Sequence, residues 1–311
     1  MWHRHLPLIC LMLALSVPGF TAEPDAAQPP ANTTPPAIID EGGKVEDAPE
    51  KLELLYKFEK GQASKYQVQI MNRGKFRLLN QTKETSLNTV TEMFFRQTVK
   101  DEQDGLYKVV WALQSGTVRI PQFGQSVITL PELTYTMDER GVIQAISGLD
   151  KLALLPGKPQ QKSFALTLGQ LRFQGFPKKA LAVGEEWTRE CSLDLPGSEK
   201  LPVKVNCKLL GYEKCDGYDC AKIETKYDYP VKITLDDKAN GKLSLEGKES
   251  GAMITRFAYK EGKMIRTEGD IKSEAKVLEA DGKPSDAYVN LQLNVVSRLL
   301  PNQPASGTEE K

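Results

Sequence analysis

From Leu52 onward, apolar and polar residues alternate with a period of two over short runs. Tyr66-Gln-Val-Gln-Ile-Met71 alternates cleanly, and Thr89-Val-Thr-Glu-Met-Phe-Phe95 is rich in strand formers. Leu106-Tyr-Lys-Val-Val-Trp111 follows the turn Gln103-Asp-Gly105, and Thr117-Val-Arg-Ile120, Ser126-Val-Ile-Thr-Leu130 and Leu133-Thr-Tyr-Thr-Met137 come next. Asp138-Glu-Arg-Gly141 then turns into Val142-Ile-Gln-Ala-Ile146. Alternating runs punctuated by Gly, Asp, Asn and Pro predict antiparallel β structure with one wet and one buried face. The buried face needs a cover. Asp150-Lys-Leu-Ala-Leu-Leu155, stopped by Pro156-Gly157, predicts a short helix, and residues 163–173 (Phe164, Leu166, Leu168, Leu171) fit either helix or strand.

The second half repeats the order of the first. Val183-Gly184-Glu-Glu-Trp187 corresponds to Lys60-Gly61 with Tyr66 shortly after, and Asp216-Gly217 to Asp104-Gly105. Phe257-Ala-Tyr259-Lys-Glu-Gly262-Lys-Met-Ile265 corresponds to Tyr135-Thr-Met-Asp-Glu-Arg-Gly141-Val-Ile143. The matched glycines stand 123, 112 and 121 residues apart, a spacing held within one loop's variation. Tyr288-Val-Asn-Leu-Gln-Leu-Asn-Val295 adds a final alternating strand. The expected fold is mainly β: two tandem related domains of curved antiparallel sheet, each with a short helix or loop cover. The boundaries are 51–160 for the first domain and 161–300 for the second, with Pro156-Gly157-Lys-Pro159 at the break and a polar tail over 301–311.

Residues 1–22 have the layout of a secretory signal: a short basic start (His3-Arg4-His5), an apolar run from Leu6 to Val17, then small residues. That run is shorter than the ~20 residues a membrane helix needs, and no later stretch is long and apolar enough to span a bilayer. Residues 23–50, rich in Ala, Pro, Asp and Glu, predict a disordered linker. An exported chain in an oxidising compartment is expected, periplasmic or extracellular in a bacterium.

Export changes the meaning of the cysteines. Cys191, Cys207, Cys215 and Cys220 fall within thirty residues of the second domain and read as a disulfide framework. If residues 195–202 form a hairpin loop, Cys191 and Cys207 flank it, while Cys215 and Cys220 flank Asp216-Gly217. Cys191–Cys207 with Cys215–Cys220 is therefore the favoured pairing, and the two other pairings stay open. A four-thiolate zinc site is the rival, but the Cys191/Cys207 gap breaks the usual spacing of paired ligands.

Composition excludes several chemistries. Lys+Arg and Asp+Glu are equal at 41 each, so no basic field draws the chain to nucleic acid. Both histidines, His3 and His5, lie in the signal, which removes Ser-His-Asp, Cys-His and His-metal sites from the mature chain. Glycine-rich phosphate loops are absent, and no cofactor or metal is expected. Asp236-Asp-Lys-Ala-Asn-Gly241 places Lys238 where a calcium loop needs oxygen, and reads as a polar hairpin turn. Glu185-Glu186 beside Trp187 resembles a sugar platform in outline, but a strand opening with a core tryptophan and solvated acids accounts for it. Phe94, Phe95 and Trp111 are the candidate lining of an apolar pocket beneath the curved sheet, with plain core packing as the competing fate.

The Gly-plus-Tyr/Trp strand openings, Pro177-Lys-Lys-Ala-Leu-Ala-Val-Gly-Glu-Glu-Trp187 and the Gly141/Gly262 turns resemble an uncharacterised family of exported bacterial proteins, a domain of unknown function. The resemblance covers roughly 52–300, and extends more distantly to the half-barrels of lipoprotein-sorting carriers. It implies fold and compartment and supplies no active site. The expected function is noncatalytic: a cell-envelope protein binding an apolar or lipidic ligand in a sheet concavity. The alternative is a structural or protein–protein interaction module of the envelope, and a two-carboxylate hydrolase ranks third.

Overall fold

The computed structural model describes residues 42–77, 82–121, 124–148, 175–193, 201–237, 241–278 and 282–301. Among them every regular element is a strand, in chain order β1 (Lys51–Leu52), β2 (Ala63–Arg77), β3 (Thr85–Gln103), β4 (Leu106–Ile120), β5 (Gly124–Val127), β6 (Leu133–Asp138) and β7 (Ile143–Ser147). The second half supplies β8 (Leu181–Ala182), β9 (Glu186–Leu193), β10 (Leu201–Cys215), β11 (Tyr218–Asp237), β12 (Gly241–Ala258), β13 (Lys263–Leu278) and β14 (Pro284–Leu300). The expected helix over 150–155, the ambiguous stretch 163–173, the signal 1–22 and most of the tail lie outside the described residues.

The halves do not form separate sheets. Twelve strands make one curved antiparallel sheet in the order β7-β6-β4-β3-β2-β14-β13-β12-β11-β10-β9, with β5 also on β4. The two blocks join where β14 pairs with β2, from Tyr288 opposite Arg77 to Leu300 opposite Lys65. β1 and β8 form a separate two-stranded ribbon.

The repeat read from the sequence folds into matching local geometry. Gly61 N–H donates to the Val99 carbonyl, and Val99 N–H to that of Gln62; Gly184, Leu209 and Glu185 make the same pair of bonds in the second half. The Asp104-Gly105 and Asp216-Gly217 turns both have two residues at positive φ (54° and 74°, 49° and 82°), the signature of a two-residue type I′ hairpin. Bulges recur as well. One follows Val99 in β3 and Leu209 in β10, and another lies at Gln144 in β7, beside Met137, and at Ile265 in β13, beside Phe257.

Alternation assigns each strand an inner and an outer face. One inner row runs Val118, Thr91, Ile70, Val295, Gly269, Met253, Thr225, Cys207 and Trp187, each directly opposite the next across nine strands. All but Val295 and Gly269 are buried, and most of the chain's core cluster lies on this face.

Two arms close one end of that face. Residues 53–58 run past the β6–β7 and β12–β13 turns, where Tyr56 N–H donates to Glu139 O (2.7 Å) and Lys57 N–H to Gly262 O (3.0 Å). Residues 175–185 approach from the other half, with Phe176 N–H on Arg140 O. The Arg140 guanidinium holds both arms, donating to Pro177 O (2.6 Å) and to the Glu53 carboxylate (2.7 Å). The end of the expected linker is ordered too: Val45 is buried, and Lys214 N–H donates to Gly43 O along the free edge of β10.

Candidate functional site

The candidate pocket residues divide between the two faces. Phe95 and Trp111 meet on the inner face with ring centroids 4.7 Å apart, Trp111 lies 6.4 Å from Tyr66, and its indole N–H donates to Gln97 Oε1 (3.1 Å). Phe94 does not join them. It follows the outer phase of β3, opposite Gln67 and Ser115, so the expected trio is corrected to Phe95 and Trp111. A bulge at Gln114 in β4, opposite Phe94 and Phe95, sets the register of β4 against them.

The arms extend the aromatic surface beyond what the sequence singled out. Tyr56 stacks on Phe58 (5.3 Å) and Phe176 (5.3 Å) and meets Phe257 edge-on (5.1 Å), while Phe58 leans on Tyr107 (5.1 Å). Between this plug and the sheet is a narrow cleft lined by Tyr56, Phe58, Gln62, Tyr66, Gln97 and Met264, with room for about one water molecule. The plugged end is therefore packed core.

Away from the plug, the inner face loosens. Phe76 on β2, Leu87 on β3 and Val277 on β13 point inward, pack against the core cluster and remain half-exposed. They sit toward the strand ends opposite the arms, next to fully buried Val289 and Leu291 of β14. Buried polar groups interrupt the apolar lining, among them Asn72, Thr89 and Ser273, and the Tyr229 hydroxyl donates to Glu249 Oε1 at 2.6 Å with both side chains buried. Glu249 stands between Gly247 and Gly251 at positions of inner phase on β12, a carboxylate where alternation calls for an apolar residue. That mismatch was the available sequence signal, and it was missed.

The other candidates resolve simply. Trp187 is buried with its indole N–H on Gly175 O, and Glu186 pairs with Lys208 across strands. The Glu185 carboxylate is held below the usual range by the Ala182 backbone N–H and then by Lys179. This is a turn cap. Asp237 pairs with Gly241 across the β11–β12 hairpin, as a polar turn requires.

The cysteine framework is corrected. The register sets Cys191 opposite Val203 and Cys207 opposite Trp187, four residues apart along neighbouring strands, or roughly 13 Å, well beyond disulfide reach. The expected loop is displaced because Leu201 and Pro202 belong to β10. Cys207, Cys215 and Cys220 are free thiols, all buried. Cys207 faces the core with its sulfur 3.8 Å from Thr225 Oγ1, and burial pushes its pKa up.

No family model matches the chain. No curated protein matches it either. Similar solved structures include lipovitellin, in a study of its lipid–protein interactions, at 9% identity and a TM-score of 0.46 over 82% of this chain; the chain spans 27% of lipovitellin's length. A putative exported protein with a YmcC-like fold from Bacteroides fragilis aligns at 9% identity over 80% of this chain and 99% of its own, with a TM-score of 0.19. A DUF1329 family protein from Desulfovibrio piger gives 9% identity, 78% and 85% coverage and a TM-score of 0.10. At these scores the likenesses assign no function or ligand to this chain. Among the described residues no helix is long and apolar enough to cross a membrane.

Proposed function

We propose that this is a noncatalytic, exported protein of the cell envelope that holds an apolar or lipidic ligand against the inner face of its sheet. One observation carries the reading: the inward residues Phe76, Leu87 and Val277 stay only partly buried at the end away from the described arms, beside the fully buried apolar side chains of Val289 and Leu291. Ligand sites are concave, mostly apolar and provided with a few polar groups. The buried Tyr229–Glu249 pair supplies such a group.

The distribution of exposed apolar residues favours this reading over an interaction module. Val127, Val142, Val183 and Leu210 are the exposed large hydrophobics among the described residues, and they are scattered over separate elements. A docking surface for another protein would gather them into a patch. The absence of histidine after position 5 supports the noncatalytic part.

The test is native mass spectrometry of the purified chain, with organic extraction, followed by titration with a fluorescent fatty acid. The reading expects a co-purifying or saturable apolar ligand, and weaker probe binding by Leu87→Glu with unchanged thermal unfolding. Protein that is empty on extraction and does not bind the probe would overturn it.

A further inference from the structure

The outer face carries a second arrangement that the ligand reading does not use. Asp216 and Gly217 turn the chain between β10 and β11, pairing Cys215 with Tyr218 and Glu213 with Cys220. The two cysteines thus lie diagonally across the hairpin on the same face, their thiols close enough to act on each other's ionisation. They pack with Ala258 and Ile265, under Tyr218 and Leu299. Cys215 retains 7% of its surface in solvent, and Cys220 none.

A chain of charges borders this cluster. Lys222 and Arg256 both pair with Glu213 (2.9 and 2.5 Å), Arg256 also with Glu268 (2.6 Å), and Glu268 with Arg266 (2.9 Å). The surroundings of the two sulfurs differ in sign. The neighbouring Cys220 thiol favours the Cys215 thiolate, against burial and Asp216, and Arg256 and Arg266 add to it. Cys220 is held as a thiol by its Cys215 neighbour, by burial and by Glu213 and Glu261. The cysteine supported by cations and not fully buried is the one that attacks in thiol–disulfide exchange.

We propose that Cys215 and Cys220 form a redox-active thiol pair that exchanges with small-molecule disulfides such as oxidised glutathione. The Cys215 sulfur attacks one sulfur of the incoming disulfide, its S–S bond breaks, and the first small thiol leaves carrying the Cys215 proton. The Cys220 sulfur then attacks Cys215 Sγ, expelling the second small thiol, which takes the Cys220 proton. Two protein thiols are oxidised to one cystine, and one small-molecule disulfide is reduced to two thiols. Cys207 stays out of the exchange, since it is buried on the opposite face.

The experiment equilibrates the reduced full chain in reduced/oxidised glutathione mixtures, quenches with acid, alkylates the free thiols with N-ethylmaleimide in denaturant and maps tryptic peptides. Cleavage after Lys214 and Lys222 releases Cys215 to Lys222, which contains both cysteines and no other. The expected result is a peptide two hydrogens lighter and unalkylated, with Cys207 fully alkylated. Cys220→Ser accumulates glutathione on Cys215, and Cys215→Ser accumulates at least about tenfold less on Cys220. Alanine at either position serves as a second variant should serine disturb the hairpin, and the wild-type map needs no variant. Persistent alkylation of both cysteines in excess oxidised glutathione, a bridge to Cys191 or Cys207, or equal trapping by both variants would overturn the proposal.

Discussion

Gly262→Ala tests whether the first arm is seated on the β12–β13 turn. Gly262 has φ +63°, and a Cβ there would stand 2.3 Å from the Lys57 backbone nitrogen and 2.6 Å from its Cβ. The clash is with backbone, so the arm must move. Two costs follow. An L-residue in the left-handed region costs about 1–2 kcal/mol, and forcing atoms into a packed site costs about 1–3 kcal/mol. Displacing the arm also weakens the Lys57 N–H to Gly262 O bond and the packing of Tyr56 on Phe257. The expected loss is roughly 3–5 kcal/mol. Gly105→Ala is the control, because Gly105 has φ +74° with nothing within 4 Å of its Cβ position, leaving only the conformational cost of about 1–2 kcal/mol. Urea unfolding followed by tryptophan fluorescence reads the difference, Trp111 and Trp187 both being buried on the inner face. With m near 3 kcal/mol/M, Gly262→Ala lowers the midpoint by about 1 M or more. If it costs no more than Gly105→Ala, the arm is not held against the turn and the plugged end is misread.

Two further substitutions probe the sheet itself. Gly251 lies directly opposite Tyr227, whose ring atoms stand 2.4–2.6 Å from where a Cβ would be, so Gly251→Ala should cost about 1–3 kcal/mol. That cost should nearly vanish in a Tyr227→Ala background, and an unchanged cost in the double-mutant cycle would show that the ring does not lie over the glycine. Glu213→Gln should cost about 1–3 kcal/mol at neutral pH by weakening the buried network around Arg256. Burial alone would raise the Glu213 pKa, but Lys222 and Arg256 outweigh it and hold the carboxyl below its usual range. A depressed folded pKa means that the stabilisation is complete above the unfolded value of about 4.3 and is lost as pH falls through the folded one. The wild-type advantage should therefore shrink in unfolding curves taken below about pH 4, and a gap independent of pH would refute the charge assignment.

Local signals carried further than nonlocal ones. Alternation located the strands, and the Asp-Gly pairs located two hairpins, because a type I′ turn requires φ above zero at both central residues. The repeat was legible because its markers are glycines fixed by backbone geometry. The β2–β14 junction was not, since it pairs the first long strand of one half with the last strand of the other, and no local pattern encodes that contact. Adjacent phenylalanines show the same limit at smaller scale: period two says that one of Phe94 and Phe95 faces inward, while the register decides which. Leu201-Pro202 read as loop because of the proline, yet both residues pair with β9, moving the centre of the hairpin and separating Cys191 from Cys207. Glu213, Arg256 and Glu268 carry no local pattern that links them, yet they close into a buried network from three different strands.

The single sheet also changes what a ligand could reach. Two separate domains would each need their own cover and cavity. Here the β3–β4, β6–β7, β10–β11 and β12–β13 turns all fall at one end of one sheet, and both arms lie at that end. Tyr56, Phe58, Phe176 and Phe257 fill the space there, so nothing the size of an acyl chain enters between them without moving an arm. Among the described residues, the approach left to an apolar guest is the opposite one, past Phe76, Leu87 and Val277. The ligand reading and the plug are thereby linked. Gly262→Ala, which loosens the plug far from these residues, should leave the affinity for a fatty-acid probe unchanged while lowering stability, whereas Leu87→Glu should do the reverse. Equal effects of both variants on probe binding would mean that the guest enters at the plugged end, and the assignment of the open end would fall.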